Sequence, residues 1–186
     1  MTLPQEGRAP FGPLLAALDD AADAAFDRLR GRRAVDLVAA VVSNVSDFGV
    51  VWVVTAAVKA HQPGAGRRRA ALALGAAGIS SYLVNRVAKH LVGRERPVGG
   101  PARHRGAVPV RRPSSTSFPS GHTLAAWCTA VVLPEGRGRA VALTLAAAVA
   151  ASRVHLRAHH ASDVVAGAVI GAVTGLAVRK VVDALA

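Results

Sequence analysis

His159 and Asp163 stand four residues apart. On a helical turn the carboxylate then sits under the imidazole, where it can hold one ring N–H and expose the other nitrogen. That is the orienting half of a catalytic triad. The run around the pair, from Ser152 and Arg153 through His155 and Arg157 to His160, leaves two other readings open. His160 is three residues from Asp163 and also reaches it. His155, His159 and Asp163 recur at four-residue steps on one face, a spacing that would suit a metal ion.

Two more polar clusters precede this one. Phe118-Pro119-Ser120-Gly121-His122-Thr123 runs directly into an apolar segment. Ser120 suits a helix N-cap, the N–H groups of the first turn make an anion site, and Gly121 lets backbone approach closely. His122 would then stand beside the anion. Alone, Pro-Ser-Gly is also an ordinary helix start. Upstream, Lys89 and Arg96 lie seven apart, two turns and one face of a helix if it persists, and Pro97 helps to end it. Two cations so placed either face an anion together or snorkel to a water interface.

All three clusters stand at the ends of apolar segments, which must position them. These segments are Val35 to Val58, Ala70 to Val92, Thr123 to Leu133, Ala140 to His155, and Val164 to Val178 continuing toward Ala186. A bilayer core needs about 20 mostly apolar residues, a length only the first two approach. Mean hydropathy is a modest +0.34. Gly167, Gly171 and Gly175, however, form a small-residue stripe of the kind that lets membrane helices approach closely. The fold expected is therefore all-α, a membrane helical bundle of about five transmembrane helices, with a soluble helical bundle as the competing reading.

Ahead of the bundle, Leu14 to Leu29 places Leu14, Leu15, Leu18, Ala22, Phe26 and Leu29 on one helical face and Asp19, Asp20, Asp23 and Asp27 elsewhere. With Arg28, Arg30, Arg32 and Arg33 following, this amphipathic helix suits a lipid headgroup layer, although a helix packed on the domain has the same pattern. Residues 1–34 thus read as an N-terminal segment and residues 35–186 as the membrane-embedded domain. Gly93 to Pro119 is a long loop whose prolines rule out a long helix and whose length points to function or disorder.

The net charge of +12 is carried almost wholly by arginine, which suits bidentate phosphate binding and also fits nucleic acid or an anionic membrane. The single cysteine, Cys128, excludes an intramolecular disulfide and a Cys-based metal site and reads as a packing residue. Met1 to Pro13 carries Glu6 and Arg8 without an apolar stretch leading to a cleavage site, so no secretory signal is expected there. No internal repeat and no Gly-rich nucleotide loop is visible.

Taken together, the clusters resemble the type 2 phosphatidic acid phosphatase superfamily, which includes membrane lipid phosphatases, bacterial acid phosphatases and vanadium-dependent haloperoxidases. The family pattern is Lys, six residues, Arg-Pro; then Pro-Ser-Gly-His; then Ser-Arg, five residues, His, three residues, Asp. Here Lys89, Arg96 and Pro97, then Pro119 to His122, then Ser152, Arg153, His159 and Asp163 match it in order and spacing. Eleven fixed positions in order make coincidence a poor explanation, and the metal and snorkelling readings lose most of their weight.

The resemblance implies a lipid phosphate phosphatase that needs no metal and no other cofactor. His159 would attack phosphorus, Asp163 would fix its tautomer and steady the cationic imidazole, and His122 would protonate the leaving oxygen and then activate water. Lys89, Arg96 and Arg153, with Ser120 and the Gly121 N–H, would hold the phosphoryl oxygens. Family spacing selects His159 over His160.

Relatives commonly have six transmembrane helices; here the charged helix near residues 14–29 stands where the first would be. The implied localisation is multi-pass in the cell membrane, with the site facing the extracytoplasmic side. Lys59, Arg67, Arg68, Arg69, Arg137, Arg139, Arg179 and Lys180 lie opposite a loop that is itself arginine-rich, so charge counting does not fix the orientation. The expected partners are a lipid phosphate and the membrane. Nucleic acid is not expected, because it would require neither Pro119 to His122 nor the His159 and Asp163 pair. Competing functions are a haloperoxidase-like enzyme holding vanadate in the same pocket and an inactive phospholipid-binding relative. The charge of Arg103 to Arg112 suggests contact with a second phosphate or a sugar.

Overall fold

The computed structural model describes residues 11–47, 66–99, 109–110, 115–133 and 136–184. Among these residues it holds six helices and no strand: α1 Pro13–Asp27, α2 Arg33–Asp47, α3 Gly66–Leu91, α4 Gly121–Val132, α5 Arg137–His155 and α6 Ala161–Ala184. Pro13 opens α1 with a preset φ just after Gly12, whose φ of 84° favours glycine. The expected apolar segments become helices within a few residues of their anticipated bounds. Residues 48–58 of the first segment and the Arg103 to Arg112 stretch lie outside the described residues.

Helix α4 is the hub, packed against α3, α5 and α6 and buried on most of its circumference. α2 lies on α5, and α1 on α5 and α6. The core is built of small side chains: Ala126 and Ala130 of α4 meet Ala142, Ala146 and Val149 of α5, with Leu133 closing the cluster. Alanine at these positions lets helix axes come close.

The α4–α6 seam is closer still. A Cβ on Gly167 would stand 2.7 Å from the Ser120 carbonyl oxygen, and one on Gly175 2.6 Å from that of Cys128. At Gly171 it would run into the Leu124 carbonyl. The glycine stripe is thus a strip of backbone laid on backbone, as its spacing predicts. It also brings Ser120, at the start of α4, against the start of α6.

The larger apolar side chains point the other way. Val165, Val169 and Val173 of α6 are exposed, as are Ile79, Leu83 and Val87 of α3 and Leu37, Val38 and Val41 of α2. These faces carry branched apolar side chains where a water-soluble domain ordinarily carries polar ones. Among the described residues one helix, Ala161–Ala184, is long and apolar enough to cross a membrane, against the five expected.

Helix α1 is oriented differently from its hydrophobic pattern. Leu14 is 86% exposed and Leu18 48%, whereas Asp19 is only 7% exposed. The acidic side faces the protein because it finds cations there: Asp19 pairs with Arg94 at 2.6 Å and Asp27 with Arg157 at 2.8 Å.

Candidate active site

Three chain segments meet at the end of the bundle where α3 finishes, α4 begins and α5 turns into α6. The turn after α5 carries His159, and the first turn of α6 carries Asp163. Arg157, at φ 50°, lets the chain reverse between the two helices. The Arg153 carbonyl accepts the N–H groups of both Ala158 and His159, which pins the turn to the last helical residues.

His159 is 2% exposed. Its Nδ1 lies 2.7 Å from the Ser117 carbonyl oxygen. A carbonyl only accepts, so Nδ1 carries the proton and Nε2 presents its lone pair. Arg96 Nη1 donates to Nε2 at 3.2 Å. Burial, and then the Arg96 and Arg153 cations, hold the imidazole pKa well below the ordinary histidine value, against the pull of Asp163 and of the Ser117 bond. The ring is neutral, oriented, and aimed by Nε2 at a cation.

The carboxylate stands behind it. His159 Nδ1 and Asp163 Oδ2 are 3.9 Å apart, too far for a hydrogen bond. The expected direct bond is therefore replaced: Ser117 supplies both the carbonyl that fixes the ring and a hydroxyl that donates to Asp163 Oδ2. The same oxygen accepts the His160 N–H at 2.9 Å and lies 3.4 Å from His160 Nδ1, so the i, i+3 reach anticipated for His160 is realised. Asp163 Oδ1 accepts from Arg94 Nη1 at 2.7 Å. Ser120 N–H donates to the Asp163 carbonyl at 3.0 Å, tying α4 to α6 beneath the site.

Lys89 and Arg96 converge, but not along one helix. α3 ends at Leu91, and the two cations meet on the segment before α4. Lys89 Nζ donates to Ser115 Oγ at 2.7 Å and to the Thr116 carbonyl at 3.2 Å; Arg96 donates to the carbonyls of Ser115, Thr116 and Ala158. Arg96 thereby joins the α3 end, the strap before α4 and the histidine turn. Arg153 is fully buried in the last turn of α5, and its guanidinium donates to Ser43 of α2.

Ser120 caps α4 in extended geometry, but its hydroxyl meets Thr123 Oγ1 at 3.0 Å and makes no capping bond to the helix backbone. Gly121 has a packing reason beyond ligand approach, since a Cβ there would come within 2.9 Å of Asn85 Nδ2. His122 follows it on the first turn of α4, half-buried. His155 does not join the cluster: its Nε2 lies 2.7 Å from Asp36 Oδ1, and its ring packs edge-on against Phe26. The His155, His159 and Asp163 metal constellation is not assembled, and no group of three metal-ligating side chains is gathered among the described residues.

Sequence reasoning missed Asp19, Arg94, Ser117 and Ser162. Arg94 gave the one usable signal, standing two residues before Arg96 in the same cluster.

A neutral imidazole among fixed cations at the end of a helical bundle is an arrangement suited to a phosphate ester. Residues 70–185 match the model of the PAP2 superfamily, and the chain belongs to that superfamily. The decaprenylphosphoryl-5-phosphoribose phosphatase of Mycolicibacterium smegmatis is 36% identical over 140 residues, spanning 75% of this chain and 74% of that protein. The protein of the same description from Mycobacterium tuberculosis is 36% identical over 115 residues, 62% of this chain and 63% of its own length. In fold, the chain is similar to the transmembrane PAP2-type phosphatidylglycerolphosphate phosphatase of Bacillus subtilis, with a TM-score of 0.71 at 23% identity over 95% of this chain and 90% of that one. It is also similar to Aquifex aeolicus LpxE, with a TM-score of 0.70 at 20% identity over 91% and 97%.

Proposed function

We propose that the protein is a membrane-embedded hydrolase that removes a terminal phosphate from a lipid phosphate through a phosphohistidine on His159. One observation carries this reading. Nδ1–H of His159 is committed to the Ser117 carbonyl, and Nε2 faces the guanidinium of Arg96. Nε2 attacks phosphorus while Arg96, Lys89, Arg153 and the N–H groups at Gly121 take up charge on the equatorial oxygens. His122, at the start of α4, protonates the departing lipid oxygen. Water then attacks the phosphohistidine, giving its proton to His122, and inorganic phosphate leaves with His159 restored. Asp163 steadies the imidazolium from behind.

The outward Val, Leu and Ile side chains of α2, α3 and α6 support immersion of residues 35–186 in the bilayer by about five spans, with α1 and Arg30 bracing them. The site end faces the extracytoplasmic side in this reading. A polyprenyl-linked phosphate is the favoured substrate class, because both mycobacterial relatives are named for a decaprenylphosphoryl sugar phosphate.

The test is phosphate release by detergent-purified protein, with chelator present, from phosphatidic acid, phosphatidylglycerol phosphate, polyprenyl mono- and diphosphates and a polyprenyl-linked sugar phosphate. Wild type should release phosphate, fastest from a polyprenyl substrate, and His159→Ala should not. Chelator-sensitive release, or equal release by His159→Ala, would contradict the mechanism.

A further inference from the structure

Asp19 is the one buried residue of α1, and it lies 143 residues from Ser162, its partner at the start of α6. Both of its oxygens accept hydrogen bonds. Oδ1 accepts the Ser162 N–H at 2.7 Å; Oδ2 accepts the Ser162 hydroxyl at 2.8 Å and Arg94 Nη2 at 2.6 Å. The other nitrogen of the same guanidinium, Nη1, donates to Asp163 Oδ1 at 2.7 Å and to Ser162 Oγ at 2.7 Å. Arg94 is thus a buried rod between two carboxylates, its side chain 1% exposed against 6% for Asp19 and 0% for Asp163.

Such a buried ion pair is a poor source of net stability, because desolvating the charges offsets their attraction. Fixing a geometry is the use it serves better. The surroundings fit that use. Arg30, just past α1, donates to the carbonyls of Val154 and His155 at 2.8 Å each, and Asp27 holds Arg157 at 2.8 Å. The N-terminal segment therefore grips the chain on both sides of His159.

We propose that Asp19, acting through Arg94 and Ser162, is a positioning residue for catalysis: it sets the carboxylate of Asp163 and, by way of Ser117, the ring of His159. This rests on the phosphohistidine reading above. Three groups, Arg94, Asp163 and Ser117, stand between Asp19 and the His159 ring, so the effect falls on the rate of the chemical step and not on substrate capture.

The experiment compares wild type, Asp19→Asn, Ser162→Ala and the double variant, all in detergent, on whichever lipid phosphate wild type hydrolyses. Rates are normalised to the number of sites that can be phosphorylated, and His159→Ala is run alongside. Each single variant should lose about tenfold in kcat with KM changed by no more than about twofold, and the double variant should lose no more than the worse single one. Should Asp19→Asn fail to fold, Ser162→Ala carries the same comparison alone. A kcat within about twofold of wild type, a loss seen only in KM, or losses that multiply in the double variant would overturn the proposal. Those outcomes leave the phosphatase reading standing. No release by wild type, or full release by His159→Ala, would overturn both.

Discussion

The two regions that hold the His159 turn in place do so by opposite means. On the inner side, α6 meets α4 through Gly167, Gly171 and Gly175, whose missing side chains let backbone touch backbone. On the outer side, α1 meets the same turn through charged side chains, Asp19, Asp27 and the nearby Arg30, while its leucines point away. The inner contact is fixed by steric exclusion and tolerates no added atom. The outer contact is a set of directional bonds that differ widely in burial and thus in consequence. A site that must hold an imidazole, a carboxylate and several cations in register is here braced by a rigid seam on one side and by an ionic clamp on the other.

The largest effect should come from the seam. Gly171→Ala drives a Cβ into the Leu124 carbonyl, and with backbone on both sides nothing can give way. It should destabilise the protein by about 1–3 kcal/mol or more and lower its melting temperature in detergent. Unchanged melting would mean that the α4–α6 seam can yield to an added methyl group. Next comes the residue joining ring and carboxylate. Ser117→Ala keeps the carbonyl that fixes His159 but deprives buried Asp163 of a hydroxyl, at a cost of about 1–3 kcal/mol. Phosphate release should fall about tenfold, as read from steady-state rates.

A pH titration sharpens the picture of the inner side. Because folding lowers the pKa of His159, its imidazole stays neutral as pH falls below about 6.5, where an unfolded histidine takes up a proton. Its contribution to stability is therefore nil above that pH and unfavourable below it. The His159 ring resonances should show no titration through the ordinary histidine range, whereas a midpoint near 6.5 would mean an exposed, unpaired ring. The smallest effect belongs to the rim of the clamp. Asp27→Asn removes exposed pairs with Arg157 and Arg30 that Asp23 partly duplicates, and both rate and melting temperature should stay close to wild type.

The sequence spoke clearly about the seam and poorly about the clamp. Four-residue glycine spacing is a local pattern with one physical meaning, and His159, His122, Lys89, Arg96 and Arg153 announce themselves by fixed spacing within short motifs. The apolar runs marked the helices for a similarly local reason. By contrast, the face α1 turns inward depends on Arg94, 75 residues from Asp19. Hydrophobic periodicity told where the leucines lie but not that they face outward, since it cannot register a cation waiting on the other side. The partner of His159 Nδ1 was missed because it is a main-chain carbonyl, which any residue at position 117 offers. The Lys89 and Arg96 pair was found while its scaffold was not: the chain leaves α3 at Leu91, and the Ser115 hydroxyl and the Thr116 carbonyl complete the convergence that one helix would have given.

In the proposed mechanism His159 becomes phosphorylated during turnover. Rapid quenching of the enzyme with phosphate-labelled polyprenyl substrate, followed by digestion under alkaline conditions and mass mapping, tests it directly. An acid-labile phosphate is expected on His159, absent in His159→Ala and retained in His160→Ala. Label on His160, or turnover by wild type with no phosphoenzyme at any point in the time course, would contradict it.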